Sequence, residues 1–140
     1  MEDTNILLKE KNTALGNIEI APEVLEVISG IAANEVDGVY AMQGSFKSGM
    51  NELLGRKTHN KGVHLEINED GLSVDVYCYI KYGVSVPKVA LEIQQKIKEQ
   101  VLFMSDLNVT MVNVYVAGLV TPKEIQKHQD SLTEGLEEQV

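Results

Sequence analysis

The stretch from Val63 to Lys81 admits one kind of local structure. Val63, Leu65 and Ile67 alternate with His64, Glu66 and Asn68; past Asp70-Gly71, Leu72, Val74, Val76, Cys78 and Ile80 alternate with Ser73, Asp75, Tyr77, Tyr79 and Lys81. A period of two is that of a strand with one buried face, and a glycine at the break supplies the positive backbone angle a tight turn needs. The segment predicts an antiparallel hairpin with one apolar face. A two-stranded hairpin is marginal in water, so a second layer has to cover that face.

Two helices are available to do so. Pro22 can open a helix without loss, because the first amides of a helix have no partner within it. Behind it, Val24, Leu25, Ile28, Ile31, Ala32 and Val36 fall on one side at helical spacing, with Gly38 as the stop. The second begins around Pro87. Its inward stripe is expected to be Val89, Ile93, Ile97, Val101 and Met104, with Ala90 beside it. Short β-prone runs flank the first helix at Ile18–Ile20 and Val39–Met42. A further strand over Val109 to Ala117 is expected to turn Val112, Val114 and Val116 inward and Asn113 and Tyr115 outward.

The order β-α-β-loop-β-β-α-β implies an α+β two-layer sandwich, with two helices on one face of a mostly antiparallel sheet and the other face partly open. The expected organisation is a flexible N-terminal arm over 1–15, one domain over 16–119, and an acidic tail over 120–140 that is solvated or a frayed helix. The approaches Ile18-x-Ile-Ala-Pro-Glu-Val and Val84-x-Val-Pro-Lys-Val share a form. Helix-start chemistry and an internal duplication both account for it.

Charge and chemistry exclude more than they include. The net charge of −9 repels phosphate backbones and anionic headgroups, and no run approaches the roughly 20 apolar residues needed to span a bilayer. The acidic start is unlike a secretory signal, and the single Cys78 cannot form an internal disulfide, so a cytoplasmic location is expected. Cys78 sits in the apolar phase of its strand, which makes it a core residue with a raised thiol pKa. His59, His64 and His128 lack metal-site spacing, and no nucleophile elbow, phosphate loop or dinucleotide fingerprint occurs. Catalytic, cofactor-binding and metal-binding residues are therefore assigned to none.

Three features suit contact with another protein. Tyr77, Tyr79 and Tyr115 are expected to share the outward sheet face, where tyrosine offers apolar area with a wet polar tip; strand propensity alone would also place them there. Leu91 and Leu102 lie on the back of the second helix, with Phe103 at the edge, which suits self-association or docking. Between Gln43 and Lys61, Lys47, Arg56, Lys57 and Lys61 are interleaved with Phe46, Met50, Leu53 and Leu54 against one acid, Glu52. Such a long loop in a small domain often carries function, and a solvated loop folded onto the domain is its plain alternative. An aromatic sheet face also suits single-stranded RNA, although Asp75 and the overall charge oppose it. An RNA-binding module and a small-molecule enzyme remain the alternatives from other classes.

The run from Gly16 to Val39 (GNIEIAPEVLEVISGIAANEVDGV), Asp70 to Ala90 (DGLSVDVYCYIKYGVSVPKVA), Ile93 to Lys98 (IQQKIK) and Val112 to Gly118 (VNVYVAG) follow one another in the order seen in a known family. The chain resembles, over Gly16 to Leu119, the alkaline shock and Gls-type general stress proteins of Gram-positive bacteria. Leu54 to Gly62 (LGRKTHNKG) is similar to the subgroup encoded beside the biotin carrier and biotin carboxylase subunits of acetyl-CoA carboxylase. The resemblance implies a non-enzymatic envelope or general stress response protein, one that self-associates or is held at the membrane by an anchoring partner. From the subgroup it implies regulation of acetyl-CoA carboxylase by direct contact.

Overall fold

The computed structural model describes residues 6–7, 15–44 and 62–127. In chain order they form β1 (Ile6–Leu7), β2 (Glu19–Ile20), α1 (Pro22–Asn34), β3 (Val39–Met42), β4 (Val63–Asn68), β5 (Gly71–Lys81), α2 (Val86–Ser105) and β6 (Val109–Val120), followed by helical backbone over 122–127. The architecture is the expected α+β sandwich, an open and mostly antiparallel sheet with helices on one face.

β5 organises the sheet. β4 pairs antiparallel with its first half, Val63 opposite Val76 through Asn68 opposite Gly71, and β3 pairs antiparallel with its second half, Val39 opposite Ile80 and Met42 opposite Cys78. Since β6 runs parallel along the whole of β5, from Leu72–Val109 to Lys81–Val120, β3 and β4 lie end to end on the remaining edge. A parallel pair needs a crossover, and α2 is that connection.

The hairpin turn differs from the expected one in detail. Its loop is Glu69–Asp70, one residue earlier than Asp70-Gly71, with Asn68 Oδ1 accepting from the Asp70 amide at 3.0 Å, while the positive φ, 124°, falls on Gly71 as expected. Both helices start with proline in the first turn behind an extended residue, Ala21 or Ser85, that makes no side-chain cap. α1 ends at Asn34, earlier than a stop at Gly38 would have it. Gly38, at φ +100°, instead turns the chain into β3, and a Cβ there would lie 2.8 Å from Val89 Cγ2. Glycine is what lets β3 begin directly beneath the first turn of α2.

The core lies between the helices and the inner sheet face. Leu25, Val74, Val76, Cys78, Ile80, Ile93, Ile97 and Val101 are all within 2 % of full burial. Each helix is also tied to a flanking strand by one polar bond. The Leu65 amide of β4 donates to Glu26 Oε2 at 3.0 Å, and Gln94 Nε2 of α2 donates to the Val112 carbonyl of β6 at 2.9 Å. The two buried serines are satisfied within their own helices, Ser29 on the Leu25 carbonyl and Ser105 on that of Val101.

Several residues expected inside are outside. Val24 and Ile31 of α1 are exposed, as are Ile18 before β2 and Ile67 at the end of β4. In α2 the inward row runs Val89, Ile93, Ile97, Val101, Ser105, a strict i+4 ridge, so Met104 is rotated out. Val112 is buried and Val114 half-buried, but Val116 is exposed. Val116 keeps the inward phase opposite Cys78, but β6 has no strand beyond it among the described residues. Just after it Tyr79 opposes Gly118, so Ala117 is an extra residue that breaks the alternation of β6. The strand then continues to Val120, past the expected end at Ala117. Near the N-terminus, β1 pairs antiparallel with β2, Ile6 opposite Ile20.

Candidate functional site

The open face of the sheet is built from the odd-numbered residues of β5 and their register partners in β6. Residues opposite one another share a face, which gives a ladder of Ser73–Met111, Asp75–Asn113, Tyr77–Tyr115 and Tyr79–Gly118. Asn113 Nδ2 donates to Asp75 Oδ1 at 2.9 Å, which holds the register next to the aromatic rung. The Tyr77 and Tyr115 rings stack with centroids 4.7 Å apart and planes 14° from parallel. One rung further, the Ala117 bulge delivers glycine where a ring needs room, since a Cβ on Gly118 would lie 3.2 Å from Tyr79 Cδ1.

The structure therefore brings Tyr77, Tyr79 and Tyr115 onto one face. Tyr77 and Tyr79 are half-buried, and Tyr115 is 46 % exposed. Met111 is exposed on the same face, and Val116 and Leu119, opposite Cys78 and Ile80 on the other face of β6, are exposed as well. No charged residue occurs from Val109 to Val120, and among the described residues no strand pairs with β6 on the side away from β5. An unpaired apolar edge of this length is a template for contact with another polypeptide.

Leu91 and Leu102 are exposed on α2, as is the neighbouring Phe103. Phe46, Lys47, Arg56, Lys57 and Lys61 lie outside the described residues. What the structure adds is the manner in which the chain leaves and rejoins the sheet around them. The Gln43 amide donates to the Tyr77 carbonyl at 2.9 Å and the Tyr77 amide to the Gly62 carbonyl at 2.7 Å. Gly62, at φ +79°, has room for no side chain, because a Cβ would stand 2.7 Å from the Tyr77 oxygen. The end of β3 and the start of β4 are thus fastened to a single residue of β5.

A further surface was not anticipated. Val24, Val27, Ile28, Ile31 and Ala32 of α1, with Met104 of α2, line an open apolar groove of ≈ 320 Å³ between the helices. The signal lay in α1 itself. Its apolar residues from Val24 to Ala32 span an arc of about 160° at the helical repeat, whereas a helix packed on one core needs an arc of about 100°. The surplus width is the groove wall.

Reactive groups are dispersed. Among the described residues no three His, Cys, Asp or Glu side chains come together in a way that could hold a metal ion. Cys78 is fully buried, and desolvation pushes its thiol pKa above the ordinary value, which disfavours the nucleophilic thiolate. His64 is exposed on β4. Among the described residues no helix is long and apolar enough to cross a membrane.

Comparison with known proteins follows the same extent as the fold. YqhY of Bacillus subtilis is 43 % identical over 130 residues, covering 92 % of this chain and 96 % of that protein. YloU of the same organism is 31 % identical over 112 residues, 79 % of this chain and 93 % of its own. A stress response regulator gls24 homolog of Streptococcus pyogenes is 29 % identical over 118 residues, 84 % of this chain and 66 % of its own. No solved structure matches. The family model that matches residues 10–121 is that of alkaline shock protein 23, described by a cell envelope-related function. With nearly the whole sandwich inside that match, the chain belongs to the alkaline shock protein 23 family, the alkaline-shock and Gls-type group to which its sequence runs pointed.

Proposed function

We propose that this protein is a non-catalytic adaptor or regulator in the cell-envelope and general stress response, acting by binding other proteins. The observation that carries this is the open sheet face, where the Tyr77–Tyr115 stack adjoins the uncharged edge of β6, with which no further strand pairs among the described residues. Tyrosines of this kind are enriched at protein interfaces, and burial of Cys78 takes away the one thiol that could act as a nucleophile. The stress-regulator name of the Streptococcus pyogenes relative supports the same setting.

The specific form of the proposal is that the partner is acetyl-CoA carboxylase, so that the protein adjusts fatty acid supply. Its support is the likeness of Leu54 to Gly62 to the subgroup encoded beside two carboxylase subunits. Contact would run through the tyrosine face or the basic stretch containing Lys47, Arg56, Lys57 and Lys61. The protein acts in the cytoplasm, as a homo-oligomer or held at the membrane by a separate anchoring partner. Affinity purification from native cells with mass spectrometry tests this. The expected result is recovery of carboxylase subunits with the natural protein and their depletion with Tyr77→Ala/Tyr115→Ala. Recovery of no carboxylase subunit, together with unaltered malonyl-CoA in a deletion strain, overturns the carboxylase form. Retention of every co-purifying protein by the double variant overturns the tyrosine face.

A further inference from the structure

The helix layer carries a second open surface, independent of the tyrosine face. Val24 is 43 %, Ile31 48 % and Met104 58 % exposed, and these residues border the interhelical groove together with Val27, Glu35 and Gln100. Glu35 also belongs to an adjoining polar depression, shared with Asp37, Glu92, Lys96 and Glu99. Four carboxylates against one ammonium leave that rim net negative, on a chain that is itself at −9. The apolar trough and the acidic rim meet at one residue.

We propose that this groove binds a cationic amphipathic helical segment of a partner protein. The apolar side of the guest fills the trough between α1 and α2, and its Lys and Arg residues face Glu35, Asp37, Glu92 and Glu99. Dimensions agree with a helix: from Val24 to Glu35 the wall is about 16 Å long, roughly three turns, which matches apolar anchors at i, i+3, i+4 and i+7. Charge narrows the choice further. The rim repels an anionic lipid headgroup or a fatty-acid carboxylate, and it repels an acidic helix in the same way. A second copy of this chain meets the like-charge repulsion of two bodies at −9 each.

The probe is a fluorescent 18-residue Leu/Lys amphipathic helical peptide titrated into the full chain, with a Leu/Glu peptide and a Ser/Lys peptide as controls. The expected result is saturable one-to-one binding of the Leu/Lys peptide alone. Ile31→Ser/Met104→Ser should weaken it about tenfold or more, and Glu35→Gln/Glu99→Gln several-fold with a shallower salt dependence. Both pairs change exposed or rim side chains, and circular dichroism checks that each variant folds. Tyr115→Ala should leave binding unchanged, which separates failure here from failure of the tyrosine face. Equal binding of the Leu/Lys and Ser/Lys peptides, or undiminished binding by Ile31→Ser/Met104→Ser, overturns the proposal in favour of general charge attraction. A dimer that dissociates in Ile31→Ser/Met104→Ser overturns it in favour of a second copy of this chain as the occupant. No binding of the Leu/Lys peptide overturns it outright.

Discussion

β5 and β6 lie side by side for almost their whole length, and both are rich in β-branched and aromatic residues, yet they are buried very differently. In β5 every even-numbered residue from Leu72 to Ile80 is buried and every odd one from Gly71 to Tyr79 half-buried. In β6 only Val109, Val112 and Val120 are buried, although the strand is as apolar as its neighbour. β5 has partners on both edges and the helices above it, whereas β6 has β5 on one edge and, among the described residues, no strand on the other. The contrast teaches that strand propensity records a fit to a pleated surface, while position in the sheet decides whether the apolar side chains become core or surface.

The sharpest way to break this comparison is to truncate two residues that face each other across the pair. Ile80 is fully buried, and its partner Leu119 is 51 % exposed. Ile80→Ala should cost about 2–5 kcal/mol, as cavity-forming changes in a core do, and Leu119→Ala no more than about 0.5 kcal/mol, both read from urea unfolding. Comparable losses at the two sites would mean that β6 is covered in solution.

A smaller effect is expected where β5 acquires its second neighbour. Gly62→Ala combines a positive φ with a Cβ placed 2.7 Å from a backbone oxygen and 3.0 Å from the Gln43 nitrogen, so a loss of about 1–3 kcal/mol is expected. The same change at Gly16 (φ +102°), where nothing lies within 4 Å, should carry only the conformational part. If the two cost the same, steric exclusion at the pinch is not what demands glycine.

The smallest effect joins the two strands. A double-mutant cycle on Tyr77→Ala and Tyr115→Ala should give a coupling of about 0.5–1.5 kcal/mol, the range for stacked aromatic pairs. A coupling indistinguishable from zero would mean that the stack does not help to hold β6 against β5.

Local periodicity made the hairpin and α2 legible in the sequence. The alternation from Leu72 to Lys81 and the row Val89, Ile93, Ile97, Val101 each state their buried face without help from distant residues. Properties created by pairing were not legible. The parallel union of β6 with β5 depends on the α2 crossover, and the Ala117 bulge that breaks the alternation of β6 is visible only once Tyr79 is seen opposite Gly118. Met104 was misplaced because its position sits just off the i+4 ridge that ends at Ser105. Val24 and Ile31 were misplaced because an apolar arc wider than one interface was read as a single face. The three tyrosines were grouped correctly by their phase; that two of them stack follows from the register and not from spacing along either strand.

The double attachment at Tyr77 has a consequence for how members of such a family can diverge. Because the exit at Gln43 and the re-entry at Gly62 are secured to one residue, the span between them is closed at its base whatever its length. The entropic charge for lengthening a closed loop grows only logarithmically, by about 0.6 kcal/mol per doubling. The intervening segment can therefore be rewritten, shortened or extended during evolution while β3, β4 and β5 keep their alignment, leaving partner choice free to change on an unaltered scaffold.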